Sequence, residues 1–396
     1  MELTVASLTD VGRVRTNNED SYLADTRLGL FIVCDGMGGH NAGEVASRLC
    51  CDWVAQQLHE APKWRQAYST SGSQTALQQM ADAMHAAVSG ACREIYRQGS
   101  RTGAHAGMGT TCTALLVAGR NKAILGHVGD SRLYLLRQGI AHQLSADHTY
   151  VNELVKRGAI TAEQALHHPQ GNVLSRAMGV APEVRVDTLI FDLDAQDTLF
   201  LCSDGVHHYY DAQQEIATLA NQPDLGSGLQ QLLGRALERG GHDNCTGILA
   251  RLSGNSDLDP SLSARHRLAL LAHTPLFANL TYVERVQVAG LMQLGFLPDD
   301  QWLCRAGIVG DELYLLLSGE VEVTDDAQGA QRVQPGALLG ELAVLEAVPR
   351  RASVRTRGAC YVASLQREPF LQLIRREPVL GSKILSSAMH WLGSQG

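Results

Sequence analysis

The sequence predicts an α+β protein of two domains, a helix-flanked antiparallel β-sandwich (α-β-β-α) followed by a small β-roll domain bracketed by helices. A stretch rich in Ser, Asp and Pro, residues 252–266, lacks apolar periodicity and divides the chain. Before it, short apolar strands follow one another across short turns, which favours antiparallel sheets. After it comes a run of short strands with glycine turns. We therefore assign residues 1–253 to the first domain, 254–266 to a linker and 267–396 to the second domain.

In the first domain, apolar residues at helical spacing predict helices over 43–58 and 75–98, with further helices near 212–239. Apolar runs bounded by Gly and Asp predict strands. These strands cover residues 31–34, 109–119, 122–130, 132–139, 197–205 and 244–252. Helices that cover the strands on both sides give the layered sandwich.

In the second domain, strand-like segments alternate with glycine turns. They cover residues 301–307, 311–324, 329–345 and 351–365. Helical patterns over 277–294 and 368–392 flank them.

Composition excludes several classes of protein. The 396 residues are 45% hydrophobic and 19% charged, which is ordinary for a globular protein, and the net charge is −8. This charge, together with the lack of a run of basic residues, argues against binding to nucleic acid or to a membrane surface. The N-terminal sequence does not have the pattern of a signal peptide, and no apolar segment reaches the ~18 residues of a membrane span. We expect a cytoplasmic protein.

The nine cysteines are scattered, without a Cys-x-x-Cys pair. Several, such as Cys34, Cys112 and Cys202, lie in apolar strand-like runs. We interpret them as small buried hydrophobic residues in a reducing compartment, and we expect no zinc site.

Two apolar strands end in an Asp-Gly pair, at Asp35 in FIVCDGMGGH and at Asp204 in LFLCSDGVHH. An Asp in such a position can simply terminate a strand. Here, however, four more acids belong to the same pattern: Asp130 directly follows a glycine at a predicted strand end, Asp243 stands just before another predicted strand, and Glu19 and Asp20 are adjacent. Clustered carboxylates repel one another unless a cation lies between them, and oxygen ligands suit Mg²⁺ or Mn²⁺. The pattern predicts two metal ions ~3.5–4 Å apart that produce a hydroxide and hold a phosphate oxygen.

Two further residues fit this chemistry. Gly36 has no side chain, so its backbone carbonyl is free to reach a metal. Arg15 lies five residues before Asp20, and its planar guanidinium suits bidentate binding of a phosphate. Arg13 is the competing candidate for this role, and a plain surface arginine is the alternative interpretation.

The motifs DVGRVRTNNEDSY, VCDGMGGH, GMGTT, GHVGDSRLY, LCSDGV and GHDNCT occur in this order between residues 3 and 252. Together they resemble the type 2C metal-dependent serine/threonine protein phosphatases in their bacterial form. The resemblance implies a binuclear Mg²⁺/Mn²⁺ centre, phosphoprotein substrates and a cognate Ser/Thr kinase as partner. It also implies that residues 148–179 form a mobile flap that influences substrate choice.

The resemblance assigns a role to each candidate residue. Asp35 matches the bridging metal ligand and Gly36 the carbonyl ligand, while Arg15 matches the phosphate-binding arginine. Asp204 and Asp243 match the other carboxylate ligands of the first metal, and with Asp35 and Arg15 they form the catalytic set. Glu19 and Asp20 match acids that hold metal-bound waters. Asp130 matches the ligand of a third metal, which binds more weakly.

One position departs from the family pattern. Eukaryotic members often carry a histidine, proposed as general acid, directly after the first Asp-Gly, where this chain has Met37. His40 and a metal-bound water are the two candidate proton donors.

The second domain contains the stretch LLGELAVLEAVPRRASV, residues 338–354. A short turn at Gly340 exposes backbone N–H groups to an anion, Arg350 can pair with a phosphate, and Glu341 can accept from a sugar hydroxyl. The alternative interpretation is a barrel with a surface Glu–Arg pair.

This stretch and its surroundings, residues 267–392, resemble a cyclic-nucleotide-binding domain. The resemblance implies that Glu341 binds the ribose 2′-hydroxyl and Arg350 the cyclic phosphate of cAMP or cGMP. Four small or apolar residues would complete the site: Gly340, Leu342, Ala343 and Ala352. Arg351 departs from the pattern, because a small residue is usual there.

We therefore expect an Mg²⁺/Mn²⁺-dependent protein serine/threonine phosphatase that uses a metal-bound hydroxide and is regulated by its second domain. The alternative is a non-catalytic sensor with an inert phosphatase fold, which a missing metal ligand would indicate. The four aspartates that match metal ligands are all present: Asp35, Asp130, Asp204 and Asp243. A DNA-binding regulator is not expected, because no basic stretch follows the last predicted helix.

Overall fold

The computed structural model describes residues 2–38, 42–101, 106–119, 121–210, 212–254, 259–325 and 329–394. It divides into two compact units, Met1–Asn255 and Ser256–Gly396. Both units combine helices with antiparallel sheets, which confirms the predicted fold class. His40, one of the two proton-donor candidates, lies outside the described residues.

The first unit is built from twelve described strands and eight described helices. The strands are β1 (Glu2–Asp10), β2 (Ser21–Asp25), β3 (Leu30–Cys34), β4 (Gly36–Met37), β5 (Gly109–Thr110), β6 (Cys112–Ala118), β7 (Lys122–Val128), β8 (Arg132–Arg137), β9 (Ile140–Gln143), β10 (Asp187–Asp192), β11 (Thr198–Cys202) and β12 (Cys245–Ser253). The helices are α1 (Ala42–Gln57), α2 (Ala61–Ser71), α3 (Gln74–Gly99), α4 (Tyr150–Lys156), α5 (Ala162–Leu166), α6 (Asp204–His207), α7 (Gln213–Ala220) and α8 (Leu225–Glu238).

Two five-stranded sheets form the sandwich, in the orders β1-β12-β11-β8-β9 and β10-β7-β6-β3-β2. Strands β3, β6, β7 and β11 are buried along their whole length, which explains their nearly continuous apolar sequences. Side chains of β3 alternate between two faces. Leu30, Ile32 and Cys34 pack with α1 and α3 in one core cluster, while the cluster of α6 to α8 covers the other sheet.

Helix α2 was not predicted, because its sequence APKWRQAYSTS has few apolar residues at helical spacing. A proline in its first turn and a left-handed Gly72 at its end fix its bounds. The first helix prediction, 43–58, and the second, 75–98, agree with α1 and α3 within about one residue.

The second unit contains the following described elements. The helices are α9 (Ala264–His273), α10 (Tyr282–Leu291), α11 (Glu341–Leu345), α12 (Arg367–Arg376) and α13 (Pro378–Ser394). The strands are β13 (Gln293–Leu297), β14 (Trp302–Cys304), β15 (Glu312–Ser318), β16 (Val321–Asp325), β17 (Gly329–Val333), β18 (Leu338–Leu339), β19 (Ser353–Thr356) and β20 (Cys360–Gln366). Two four-stranded sheets, β13-β20-β15-β18 and β14-β19-β16-β17, form the roll.

Two local predictions for this unit were wrong, and the expected linker contains local structure. Residues 341–345 form α11 rather than strand, because Gly340 at φ 84° turns the chain into a short helix. The predicted helix 277–294 is shorter, since Thr281 caps α10 through a capping box and residues from 293 onwards pair as β13. Within the expected linker, Pro260–Leu262 form a 3-10 turn and Ser263 caps α9.

Candidate active site

A cavity of about 640 Å³ opens where strands of both sheets of the first unit end, and we call it the acidic cavity. It receives the carboxyl ends of β3, β7 and β11 and the start of β12. The predicted residues that line it are Arg15, Glu19, Asp35, Gly36, Asp130, Asp204 and Asp243. Asp20 is buried beneath them and does not line the cavity.

Backbone and side-chain hydrogen bonds fix the position of Asp35. Its N–H donates to Thr111 Oγ1 at 2.9 Å, and its carbonyl accepts from the Thr111 N–H at 2.8 Å. The next residue, Gly36, has no room for a side chain. A Cβ there would lie 2.3 Å from the Gly43 carbonyl oxygen and 2.4 Å from that of Glu19. The chain can therefore pass this point only with glycine, which explains the Asp-Gly pair.

A second Asp-Gly pair lies at the start of α6. A Cβ on Gly205 would lie 2.1 Å from the Asn244 carbonyl oxygen, so this corner packs directly on the segment that carries Asp243. The Oδ1 atom of Asp204 is buried and has no hydrogen-bond partner among the described residues. An unpartnered buried carboxylate oxygen is costly unless a cation or a proton satisfies it.

Asp20 also has a buried carboxylate oxygen without a partner in the described part of the chain. Its Oδ2 accepts a hydrogen bond from Ser203 Oγ at 2.8 Å, while its Oδ1 is buried without a partner among the described residues. Ser203 Oγ in turn accepts from the Thr246 N–H at 3.0 Å. A single buried hydroxyl thus links the acid to the first residues of β12.

Asp130 enters the cavity from the end of β7. Gly129, at φ 109°, turns the chain there, and a Cβ on it would lie 2.5 Å from Thr111 Cγ2. The Asp130 carbonyl faces Nε2 of the fully buried His207 at 2.9 Å. The contact with His207 therefore fixes the backbone of Asp130.

The electrostatics of these acids indicate that they are arranged for cations. Burial, and then the charges of Asp20, Asp204 and Asp130, raise the pKa of Asp35 well above its usual range. Burial also raises the pKa of Asp20 to about 7 and, with the charge of Asp204, the pKa of Asp130 to about 8. The acids therefore favour protons when metal is absent. A donor set made of carboxylate and backbone carbonyl oxygens fits Mg²⁺ or Mn²⁺.

Arg15 lies at the rim of this group, with its side chain half exposed. Its Nη2 donates to Asp243 Oδ2 at 2.8 Å, and this contact raises the pKa of the guanidinium. The competing Arg13 is not among the residues that line the cavity. Met37 lines it, at the position where a proton-donating histidine would stand in the family pattern.

The segment predicted as a flap contributes one wall of the cavity through residues 172 and 174–177. It is tied to β10 by a buried polar contact. His148 accepts at Nδ1 from the Gly129 N–H, so its Nε2 carries the proton that is donated to Asp187 at 3.0 Å. Arg176 donates to the other oxygen of Asp187 at 2.9 Å. Burial alone would raise the pKa of Asp187, but the contacts with His148 and Arg176 outweigh it and lower this pKa below its usual range.

Several residues that build the site were missed by the sequence prediction. The Asn244 side chain accepts from the Glu19 N–H at 2.8 Å and donates to the carbonyls of Val11 and Asn17, each at 2.9 Å. It thereby holds the N-terminal segment against the start of β12. Thr111 and Ser203 act similarly on neighbouring acids. The only sequence signal was that each stands beside a predicted acid or strand end.

The second unit has its own cavity of about 260 Å³, which we call the cassette cavity. All six predicted residues line it: Gly340, Glu341, Leu342, Ala343, Arg350 and Ala352. Arg351 lines it as well, and so does Trp391 from α13, which the sequence prediction did not single out.

Arg350 is held in a narrow slot. A Cβ on Gly340 would lie 1.7 Å from its Nη1, and one on Gly310 would lie 2.3 Å from its Nε. Its Nη2 donates to the Glu312 carbonyl at 2.6 Å, and its guanidinium lies 5.9 Å from the centre of the Tyr314 ring. Nε and Nη1 are buried without a partner among the described residues. Two unpartnered cationic N–H groups facing a cavity fit an anion.

Glu341 lies at the start of α11, at the edge of the same cavity. Burial raises the pKa of this carboxyl, and the nearby Arg350 lowers it in part. The acid is thus placed to accept a hydrogen bond from a neutral donor such as a hydroxyl group.

Sequence comparison separates the chain into the same two parts. A profile of the protein phosphatase 2C family matches residues 12–244, more than half of the chain. A profile of the cyclic nucleotide-binding domain matches residues 295–377. The serine/threonine phosphatase stp of Listeria innocua is 35% identical over 245 residues, which cover 61% of this chain and 92% of that protein. PstP of Mycobacterium tuberculosis is 38% identical over 248 residues, which cover 63% of this chain and 45% of that protein.

Solved structures agree with this similarity. The catalytic domain of PstP, crystallised in complex with two manganese ions, is 36% identical and superposes with a TM-score of 0.55 over 64% of this chain and 99% of that one. Stp1 from Staphylococcus aureus is 32% identical, with the same TM-score over 64% of this chain and 96% of that one. In the part of the chain that is described, no helix is long and apolar enough to cross a membrane.

Proposed function

Because this chain belongs to the protein phosphatase 2C family and is a metal-dependent serine/threonine protein phosphatase, we propose that the acidic cavity is its catalytic centre. The observation that carries this proposal is the convergence of six acids, five that line the cavity and Asp20 beneath them. Oδ1 of Asp20 and Oδ1 of Asp204 are buried without a partner among the described residues. Mn²⁺ or Mg²⁺ bound there would activate a water for attack on phosphorus and neutralise the phosphate charge.

The residues divide this work as follows. Asp35, Asp204 and Asp243 hold the ions through carboxylates, and Gly36 through its backbone carbonyl. Three further acids would orient water or hold an additional ion: Glu19 and Asp130, which line the cavity, and Asp20, which is buried beneath it.

Arg15 binds the phosphate of the substrate. In the structure its guanidinium is paired with Asp243. When substrate and metal bind, Arg15 can pair with the phosphate instead, and Asp243 can bind the metal ion. No histidine directly follows Gly36, and the residue there, Met37, cannot donate a proton. In this proposal the proton for the departing serine or threonine oxygen comes from water, with His40 as the alternative donor.

The test is hydrolysis of a phosphothreonine peptide with Mn²⁺ by full-length protein and two variants. Asp204→Asn should reduce kcat by at least ~100-fold, because a metal ligand is lost. Asp25→Asn is the matched control, since Asp25 also ends a strand but its partners are the N–H groups of Arg27 and Leu28 and the Arg27 guanidinium, away from the cavity. Normal Mn²⁺-dependent turnover by Asp204→Asn would show that the assignment is wrong. The alternative of an inert sensor predicts no turnover by the unmodified chain.

We further propose that the cassette cavity binds a cyclic nucleotide and that binding changes the phosphatase rate. The unpartnered Nε and Nη1 of Arg350 support a phosphate site, and Glu341 supports a ribose hydroxyl beside it. A ligand alters catalysis only if it favours one arrangement of the protein over another, so binding and regulation are separate questions.

The phosphorylated substrates imply a Ser/Thr kinase as the opposing enzyme. All nine cysteines are free thiols, which supports the expected reducing, cytoplasmic environment.

Calorimetric titration with cAMP, and with cGMP in parallel, tests binding. Saturable binding that is lost in Arg350→Ala, with phosphopeptide hydrolysis intact, supports the assignment of the site. The rate at saturating nucleotide then tests regulation. Absence of binding by folded, active protein would contradict the nucleotide proposal and leave the phosphatase assignment untouched.

A further inference from the structure

Three cysteines from three separate elements meet in the core beneath α1. Cys34 ends β3, Cys112 begins β6, and Cys50 lies on α1. Their sulfur atoms all lie within 4.8 Å of one another, and each side chain is fully buried. We call this group the thiol cluster. Its members are far apart in sequence, so spacing alone did not reveal it.

Strand register explains why two of the thiols are so close. β3 and β6 are antiparallel with Val33 opposite Thr113, which puts Cys34 directly opposite Cys112. The hydrogen bond from the Thr111 N–H to the Asp35 carbonyl makes the next pair a hydrogen-bonded one. Cys34 and Cys112 therefore form a non-hydrogen-bonded pair, in which opposite side chains are closest. Both belong to the core cluster that α1 covers, so Cys50 meets them from above.

The donor set is chemically uniform. Among the described residues, no histidine or carboxylate belongs to this group, and the next cysteine, Cys51, is buried in the same core cluster and interacts with Cys34. Thiolates are soft ligands that select ions such as Cu(I) or Zn²⁺, whereas Mn²⁺ and Mg²⁺ prefer the oxygens of the acidic cavity. We propose that Cys34, Cys50 and Cys112 form a second metal site, which binds one thiophilic d¹⁰ ion through three sulfur atoms.

Cu(I) suits the three mutually close sulfur atoms, because it accepts three sulfur ligands, and Cys51 lies outside this set of three. Zn²⁺ is the other d¹⁰ ion, and it usually takes four ligands. A disulfide between Cys34 and Cys112 would use only two of the three thiols and would leave the position of Cys50 unexplained. The number of converging thiols therefore favours a metal ion over a disulfide.

The location also couples the two sites mechanically. Cys34 immediately precedes Asp35, and Cys112 follows Thr111, whose hydroxyl accepts from the Asp35 N–H. An ion at the thiol cluster would tie together the two strand ends that carry this acid.

The test uses reduced, metal-free, full-length protein under anaerobic conditions. Cu(I) is offered as its complex with a chromophoric chelator, and Zn²⁺ is offered in a parallel arm with excess Mn²⁺ present. We expect one Cu(I) per chain to leave the chelator, with thiolate-to-copper absorption and three sulfur neighbours by X-ray absorption spectroscopy. Stoichiometric Zn²⁺ that depends on Cys50 would support the same site with zinc as its ion.

Cys50→Ala should weaken Cu(I) binding by more than the ~10–100-fold that loss of an outer partner of a metal ligand costs. Cys92→Ala is the matched control, because Cys92 is buried in the same core cluster but donates to the Ala181 carbonyl instead. It should bind Cu(I) as the unmodified chain does. Phosphopeptide hydrolysis shows whether each variant is folded.

Several results would overturn the proposal. They are failure of the unmodified chain to take Cu(I) or Zn²⁺ in stoichiometric amount, nitrogen or oxygen neighbours around the bound ion, and unchanged binding by folded Cys50→Ala. A loss of two thiols on mild oxidation without any metal binding would show a redox pair in its place. If Cys50→Ala does not fold, the test is the number of sulfur neighbours that X-ray absorption finds around the ion in the unmodified chain. Three sulfur neighbours support the proposal, and fewer contradict it.

Discussion

Binding of Mn²⁺ to this protein should release protons, and the number released can be worked out from the acids of the cavity. The pKa of Asp35 lies well above its usual range, that of Asp130 is about 8 and that of Asp20 about 7. At pH 7 without metal, these coupled groups together hold about two protons. Metal ions need the ionised carboxylates, so the protons must leave when Mn²⁺ binds.

The size of the effect follows from linkage. Each displaced proton strengthens observed binding by about 1.4 kcal/mol per pH unit, so two protons give about 2.7 kcal/mol, or ~100-fold, between pH 6 and pH 7. The same shifts set the stability of the metal-free protein. A buried carboxyl with a raised pKa contributes fully when it is protonated, below its unfolded value of about 4. This contribution is lost as the pH rises towards the folded pKa, which is about 7 for Asp20.

The assay is calorimetric titration of Mn²⁺ into metal-free, full-length protein at pH 7 in two buffers with different ionisation enthalpies. Asp130→Asn should lower the proton count by about one. Asp25→Asn should leave the count unchanged, since backbone hydrogen bonds from Leu28 lower the pKa of Asp25 and keep it ionised. A count near zero, with equal affinity at pH 6 and pH 7, would refute the view that the metal-free cavity stores protons.

Three further predictions concern single residues. Arg15→Ala should raise KM for a phosphopeptide by roughly 10-fold or more, the cost of one charge-assisted hydrogen bond, with little change in Mn²⁺ affinity; equal kinetics for Arg15→Ala and Arg13→Ala would contradict the assignment. Ser203→Ala should lower the free energy of unfolding by about 1–3 kcal/mol, because it leaves a buried N–H and a buried carboxylate without their shared partner, and an unchanged denaturant midpoint would argue against that. Gly340→Ala should abolish binding of cAMP or cGMP while phosphopeptide hydrolysis persists, because a Cβ there would lie 1.7 Å from Arg350 Nη1; undiminished nucleotide binding in calorimetry would exclude this slot as the phosphate site.

The sequence predicted the parts of the site that depend on local pattern. An apolar run that ends in Asp-Gly, as at Asp35 and Asp204, or in Gly-Asp, as at Asp130, shows where a strand stops, and the structure places all three acids in one cavity. Their roles as ligands stay predictions. The cassette residues were likewise found from one contiguous stretch of sequence.

The parts that depend on packing between distant segments could not be predicted in this way. Ser203 and Asn244 support the acids through contacts across more than 180 residues of sequence, and neither carries a distinctive pattern. The thiol cluster depends on the exact register of β3 against β6, which a sequence does not state. Helix α11 forms because Gly340 adopts a left-handed conformation. In the sequence, a glycine that starts a helix cannot be told from a glycine in a turn between two strands.

The pairing of β1 with β12 has a consequence for synthesis on the ribosome. These strands pair along nine residues, from Glu2 opposite Ser253 to Asp10 opposite Cys245, and the Asn244 side chain holds the segment that carries Glu19. A nascent chain that ends before Asp243 therefore lacks both the closing strand and the last acid of the cavity. The phosphatase unit should gain activity in one step, late in its translation, and a truncated translation product should be unable to dephosphorylate cellular proteins.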